Sequence, residues 1–253
     1  MLKATTSFAC IVSLIGLLPA ANALVGSSWS MTNVPSGGLT DITFPLTIVE
    51  ADHISGYYFA QQFAFVGNSE VGYTGLQPRP DDANDTPILH GVFSSFIAGA
   101  ASTDPNCFPG ADGGAGVSCS TEWNGVYGRT YDMEVRYDAC AGLWVGTAID
   151  TVTGERYHIG SYTLPEGTGG IKDGQAGFVE WYPWNVVEPA DHCAHLPYQQ
   201  TIFGPPRTTN QGSVGSQSLA FEYGDCVGQV GFFTGPVDGG ADTACGWLGE
   251  TGA

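Results

Sequence analysis

The chain has 253 residues, with seven basic against 25 acidic side chains and a formal charge of −18. That balance excludes partners held by clustered lysine and arginine, so neither a nucleic-acid backbone nor an anionic membrane surface fits, and the same field repels polyanionic sugars. Glycine at 37 and proline at 15 interrupt the chain too often for long helices, and no internal repeat or low-complexity linker divides it.

Residues 1–23 carry one positive charge at Lys3, an apolar stretch from Phe8 to Leu18 and the small-residue exit Ala21-Asn22-Ala23. This is the pattern of a secretory signal peptide, and its apolar run is too short to span a bilayer. Residues 24–253 are then expected as a single secreted, extracellular domain, soluble and monomeric. Period-two alternation marks the strands. Residues 40–50 place Ile42, Phe44, Leu46 and Ile48 on one face, and residues 57–66 do the same with Tyr57, Phe59, Phe63 and Phe65. A strand is expected at 88–97. In 127–137, Tyr131, Met133, Val135 and Tyr137 oppose Asp132, Glu134 and Arg136. Residues 143–150 and 155–164 flank Thr151-Val152-Thr153-Gly154 and predict a hairpin. Further strands are expected at 176–182, 199–203, 218–223 and 227–234, with irregular loops at 77–87 and 98–116. The fold class is all-β, an antiparallel β-sandwich of the jelly-roll kind with disulfide-pinned loops.

Cleavage after Ala23 removes Cys10 and leaves an even set of cysteines bound for an oxidising compartment. Six cysteines allow about 15 pairings, which the sequence leaves open; the one expected is Cys107 with Cys119 across the glycine-rich loop, Cys140 with Cys193, and Cys226 with Cys245. Asn84-Asp85-Thr86 is a glycosylation sequon, weakened by the following Pro87.

Several segments occur together in order: Gly72-Tyr73-Thr74-Gly75-Leu76-Gln77, Val92-Phe93-Ser94-Ser95-Phe96, the glycine-rich Cys107 to Cys119 loop, the Tyr131 to Tyr137 strand, Trp144 to Thr147 and His158-Ile159-Gly160. On these the chain resembles a family of secreted bacterial and fungal domains of unknown function, with a Gly-Tyr-x-Gly-Leu-Gln turn and a cysteine-bounded loop, over about residues 57–185. The resemblance implies a secreted β-sandwich and carries over no catalytic residue. Residues 189–253 lie outside it.

The run Phe178-Val179-Glu180-Trp181-Tyr182-Pro183-Trp184 concentrates aromatic rings around one carboxylate. Sugar C–H faces stack on such rings while sugar hydroxyls need a polar acceptor, so extracellular neutral polysaccharide is the partner this composition suits. Alternation puts Phe178, Glu180, Tyr182 and Trp184 on one face and Val179 and Trp181 on the other. The expected ligand contacts are Phe178, Glu180, Tyr182, Trp184 and Trp181, with Tyr73, Gln77 and Arg79 on a neighbouring loop. A glycoside hydrolase on the same fold needs a second carboxylate, for which Glu222 is the first candidate and Glu134 the second. A polysaccharide lyase would draw on His90, His158, Tyr131 and Arg136. A secreted effector-like interaction protein, its aromatics merely core, is the remaining alternative. Asp191-His192-Cys193-Ala194-His195 has a zinc-compatible spacing without the further ligands such a site needs. Asp81, Asp82 and Asp85, and separately Asp104, Asn106 and Asp112, supply the oxygen atoms calcium prefers, so structural calcium is the one cofactor the sequence leaves open.

Overall fold

The computed structural model describes residues 23–186 and 191–249. The predicted leader therefore lies outside the described residues, apart from Ala23. Strands follow in chain order as β1 (Ala23–Met31), β2 (Asp41–Ala51), β3 (Tyr57–Ala64), β4 (Val71–Arg79), β5 (Ile88–Ser95), β6 (Cys107–Ala111), β7 (Gly114–Asn124) and β8 (Thr130–Asp138). The second half adds β9 (Leu143–Asp150), β10 (Arg156–Tyr162), β11 (Gly174–Trp181), β12 (Gln199–Phe203), β13 (Gly215–Gln217), β14 (Phe221–Glu222), β15 (Phe233–Val237) and β16 (Gly240–Cys245). Two short 3-10 turns, Tyr182–Asn185 and His192–His195, are the helical elements among the described residues.

All strand pairs are antiparallel. The first sheet runs β13-β1-β11-β3-β4-β5-β7-β6, with β14 also paired to β1, and the second runs β10-β9-β8-β2-β12-β16-β15. The chain is an antiparallel β-sandwich, as the alternation predicts. Between the sheets, Phe93 stacks on Tyr162 at 4.4 Å, Trp29 meets Phe44 edge-on at 5.1 Å, and Phe65 meets Trp144 at 4.8 Å. Apolar burial of this kind supplies most of the driving force for holding two sheets face to face.

Four expectations need correction. Gly72 to Gln77 is no turn: it lies inside β4, where the glycines break the apolar alternation that would have marked a strand. The expected loop at 98–116 contains β6 and the start of β7, a hairpin closed at Ala111 and Gly114. Around the expected 218–223 strand only Phe221–Glu222 is extended, and residues 227–232 turn before β15. β1 and β16 were not expected, since β1 begins at the leader exit and β16 is rich in small residues.

The disulfides are Cys107–Cys119 and Cys193–Cys226, while Cys140 is an exposed free thiol and Cys245 a buried one. The first pairing matches the expectation, because β6 and β7 bring Cys107 and Cys119 opposite each other. The other two pairings are wrong. Cys140 sits in the β8–β9 turn, held by the Asp138 carboxylate, and Cys245 lies in the ladder opposite Gln199, whose side-chain amide donates to its sulfur at 3.2 Å. Burial raises the Cys245 thiol to about 11. Disulfides are consistent with an extracellular protein. No helix among the described residues is long and apolar enough to cross a membrane. Alkylation of the folded protein should label Cys140 within minutes and Cys245 only after unfolding, and non-reducing peptide mapping should recover the Cys193–Cys226 cross-link; rapid labelling of Cys245 would contradict this assignment.

Candidate functional site

The candidate site is built on β11. Its pairing with β3 sets Phe178 opposite Ala60 and Glu180 opposite Tyr58, and cross-strand partners share a face. Tyr58, Ala60 and Phe178 form a small apolar cluster on the outer face of the first sheet, with Tyr73, Val92 and Tyr182 packed against it. Val179 and Trp181 point the other way into the main core, where Trp181 meets Tyr57 edge-on at 4.9 Å. Gly56 makes room for that indole, since a Cβ there would stand 2.3 Å from its ring.

The same face continues across the sheet. Gln77 of β4 pairs with His90 of β5, which pairs with Glu122 of β7. With Glu180 and Tyr58 this makes a transverse polar row, and the adjacent row is Phe178, Ala60, Gly75 and Val92, with small residues at its centre. Arg79 closes one end: its guanidinium donates to the Gln77 side chain at 2.7 Å, to Glu122 at 3.2 Å and to the Tyr182 hydroxyl at 3.4 Å. Tyr73 stands beyond the small residues, packed on Phe96 at 4.6 Å and Phe178 at 5.3 Å. At the opposite side, Phe221 and Tyr223 lie over Gly26 of β1, where a Cβ would come within 2.8 Å of the Phe221 ring. Phe221 is 54% exposed and Tyr223 36%, so both rings form an open aromatic lip.

Glu180 is the chemical centre of this groove. It is 8% exposed, and Asn185 donates to its Oε1 at 2.6 Å. Burial raises its carboxyl above the ordinary value near 4.5, the Asn185 hydrogen bond opposes this, and the Asp112 carboxylate raises it further. Tyr58 is 6% exposed and its hydroxyl has no hydrogen-bond partner among the described residues. Burial also pushes Tyr73 and Tyr223 up to about 12, so both stay neutral hydroxyls.

Several predicted site residues fall elsewhere. Trp184 is 7% exposed in the main core, edge-on to His192 at 4.6 Å, because the strand ends at Trp181 and Pro183 turns the chain into a 3-10 turn. Trp181 faces the core and is no contact. Glu222 pairs with Val25 and accepts from the Gly228 amide at 2.9 Å, so it points to the opposite face from Phe221 and from Glu180. The two glutamates cannot flank one bond. Glu134 belongs to the second sheet, bound by Arg156 at 2.6 Å. Phe178, Glu180, Tyr182, Tyr73, Gln77 and Arg79 are brought together, the last three from β4 rather than from a loop. Phe221 and Tyr223 were missed. Their signal was the alternation along 219–223, which sets Leu219, Phe221 and Tyr223 opposite Glu222.

The lyase set is scattered: Tyr131 is in the core, Arg136 is exposed on the second sheet, and His158 is bound to Asp104 at 2.6 Å. Ser161 donates to that same Asp104 carboxylate at 2.9 Å, so His158 does not activate it as a nucleophile. Asp81 engages His53 at 2.5 Å, Asp82 accepts from the amides of Asn84 and Thr86, and Asp85 holds a left-handed turn position. Among the described residues one group brings three metal-ligating side chains together, His192, Cys193 and Cys226, and two of these are joined as a disulfide. Surface clefts of about 300 and 380 Å³ lie beside Pro45 and Ile202 and beside Trp144 and Pro165, without a buried titratable side chain.

No protein-family model and no curated protein matches the chain. Two crystal structures of scytalido-glutamic peptidase, one with a transition state analog inhibitor and one with a peptide based transition state analog, superpose with a TM-score of 0.46 at 11% identity. Each superposition covers 89% of this chain and 98% of the other. No functional residue is carried across at that level.

Two stability measurements probe the groove. A carboxyl whose folded value is raised stabilises the fold in its protonated form, and that contribution is lost as pH climbs from the ordinary carboxylate range through the raised value. Glu180→Gln, neutral at every pH, should therefore melt progressively higher relative to wild type as pH rises from 4 to 7; a constant gap would show that the carboxyl is not desolvated. Tyr58→Phe removes an unsatisfied hydroxyl and should stabilise the apo protein by about 1 kcal/mol in denaturant titration, whereas a loss would reveal a partner for that hydroxyl.

Proposed function

We propose that the outer face of the first sheet binds an extended neutral polysaccharide. The observation that carries this reading is the buried Glu180 carboxyl set among exposed and half-buried rings. Tyr73, Tyr182, Phe221 and Tyr223, with Phe178 buried beneath the first two, offer apolar faces for sugar rings, and the Glu180–Gln77 row offers donors and acceptors for hydroxyls. Burial favours the protonated form of Glu180, and a protonated carboxyl can both donate to and accept from a hydroxyl. Arg79, the cation at the groove's end, is already committed to Glu122, Gln77 and Tyr182, so an anionic ligand finds no free positive charge there.

The test is retention on a panel of soluble and insoluble glycans. A stacking ring contributes about 1 kcal/mol, so Tyr182→Ala and Phe221→Ala should each weaken binding by roughly fivefold, while Trp184→Phe in the core should not. Failure of every neutral glycan to bind, or retention indifferent to both ring truncations, would remove this function.

A further inference from the structure

We propose that His53 is a positioning residue for the groove: its pair with Asp81, stacked on Tyr127, clasps together the two connections between which Tyr182 is held. Tyr182 needs such a hold because the ladder with β3 ends one residue earlier, at Trp181 opposite Tyr57. Its ring packs against the Tyr58–Phe178 cluster, but its backbone has already turned into the 3-10 segment. Two contacts from other parts of the chain fix it there. Its amide donates to the Gly56 carbonyl at 3.0 Å, and its hydroxyl accepts from the Arg79 guanidinium at 3.4 Å. Gly56 ends the β2–β3 connection, and Arg79 ends β4 just before the β4–β5 connection.

His53 and Asp81 join those same two connections. His53 precedes Gly56 in one, Asp81 follows Arg79 in the other, and the imidazole Nδ1 meets the Asp81 Oδ1 at 2.5 Å. An exposed pair of this kind adds little stability by itself, since water competes for both partners. This pair is anchored by more than charge: the His53 ring stacks on Tyr127 with centroids 4.3 Å apart and planes at 25°, and Tyr127 packs against the main core. Gly125, in the same β7–β8 link as Tyr127, donates to the Pro87 carbonyl at 2.9 Å and ties down the far end of the β4–β5 connection. Three connections at one end of the sandwich therefore meet around the imidazole.

Gly56 makes the clasp matter. At φ +151° it occupies backbone space open to glycine, so the loop has other conformations available and the direction of its carbonyl depends on what grips the loop. Once the clasp is released, the Gly56 carbonyl and the Arg79 guanidinium are free to move relative to each other, and Tyr182 loses its fixed plane. A ring held in place before binding costs less to order against a sugar. The effect on ligand rests on the groove being a glycan site; the clasp itself does not.

Hydrogen exchange tests the clasp without any ligand. In His53→Ala and Asp81→Ala the Tyr182 amide should exchange about tenfold faster, while the amides of Ala60 and Gln61 in the middle of β3 keep their wild-type rates. Unchanged exchange at Tyr182 in both variants would overturn the clasp, and so would equal acceleration in β3, which marks general destabilisation. His53→Phe keeps a stacked ring without the nitrogen and should behave as Asp81→Ala does; wild-type exchange in it would overturn the role of the pair. On a glycan that the protein retains, His53→Ala should weaken binding about threefold and add nothing further in a Tyr182→Ala background. Additive losses would overturn action through Tyr182. If wild-type protein retains no glycan, the groove reading falls, while exchange at Tyr182 still decides the clasp.

Discussion

Val179 and Trp181 are driven into the space between two sheets, and the period of two in β11 then forces Phe178 and Glu180 onto the opposite face. A one-residue slip would bury a carboxylate between the sheets and expose an indole, so the register is strongly specified. Gly56 reinforces it by leaving a place for the Trp181 ring that no larger residue could leave. The position of Glu180, and with it the groove, follows from this packing and not from any contact of Glu180 itself.

The outer face is unusual in what it lacks. Elsewhere the acidic chain pairs its charges: Arg129 with Asp150 at 2.8 Å, Arg156 with Glu134 at 2.6 Å, Arg207 with Asp132 at 2.5 Å. Around Glu180 the neighbours are rings and an amide. Desolvation without a cation favours the neutral acid, whereas a guanidinium at the same place would hold it ionised. Arg79 comes near but is drawn to Glu122 across the strand, which keeps the groove's centre free of positive charge.

Much of this was legible in the residues because strand alternation is local. The separation of Trp181 from Glu180, the β9–β10 hairpin and the Cys107–Cys119 bridge all involve near neighbours in sequence or in one hairpin. The failures are of other kinds. Trp184 obeys no alternation once Pro183 ends the strand. The glycines of β4 masked a central strand that carries Tyr73, Gln77 and Arg79. Glu222 and Phe221 were distinguishable as opposite faces, but which face meets β11 depends on β14 adding to β1 from nearly two hundred residues away in sequence. Cys193 and Cys226 meet for the same reason, through folding of segments whose spacing says nothing about proximity.

Composition and periodicity by themselves determined an acidic β-sandwich with aromatic strands, because strand patterning and charge balance are sums over local choices. Tertiary structure decided which rings share a face with Glu180, that Glu222 faces away from it, and which cysteines remain free, because these are relations between strands that the chain order leaves unconstrained.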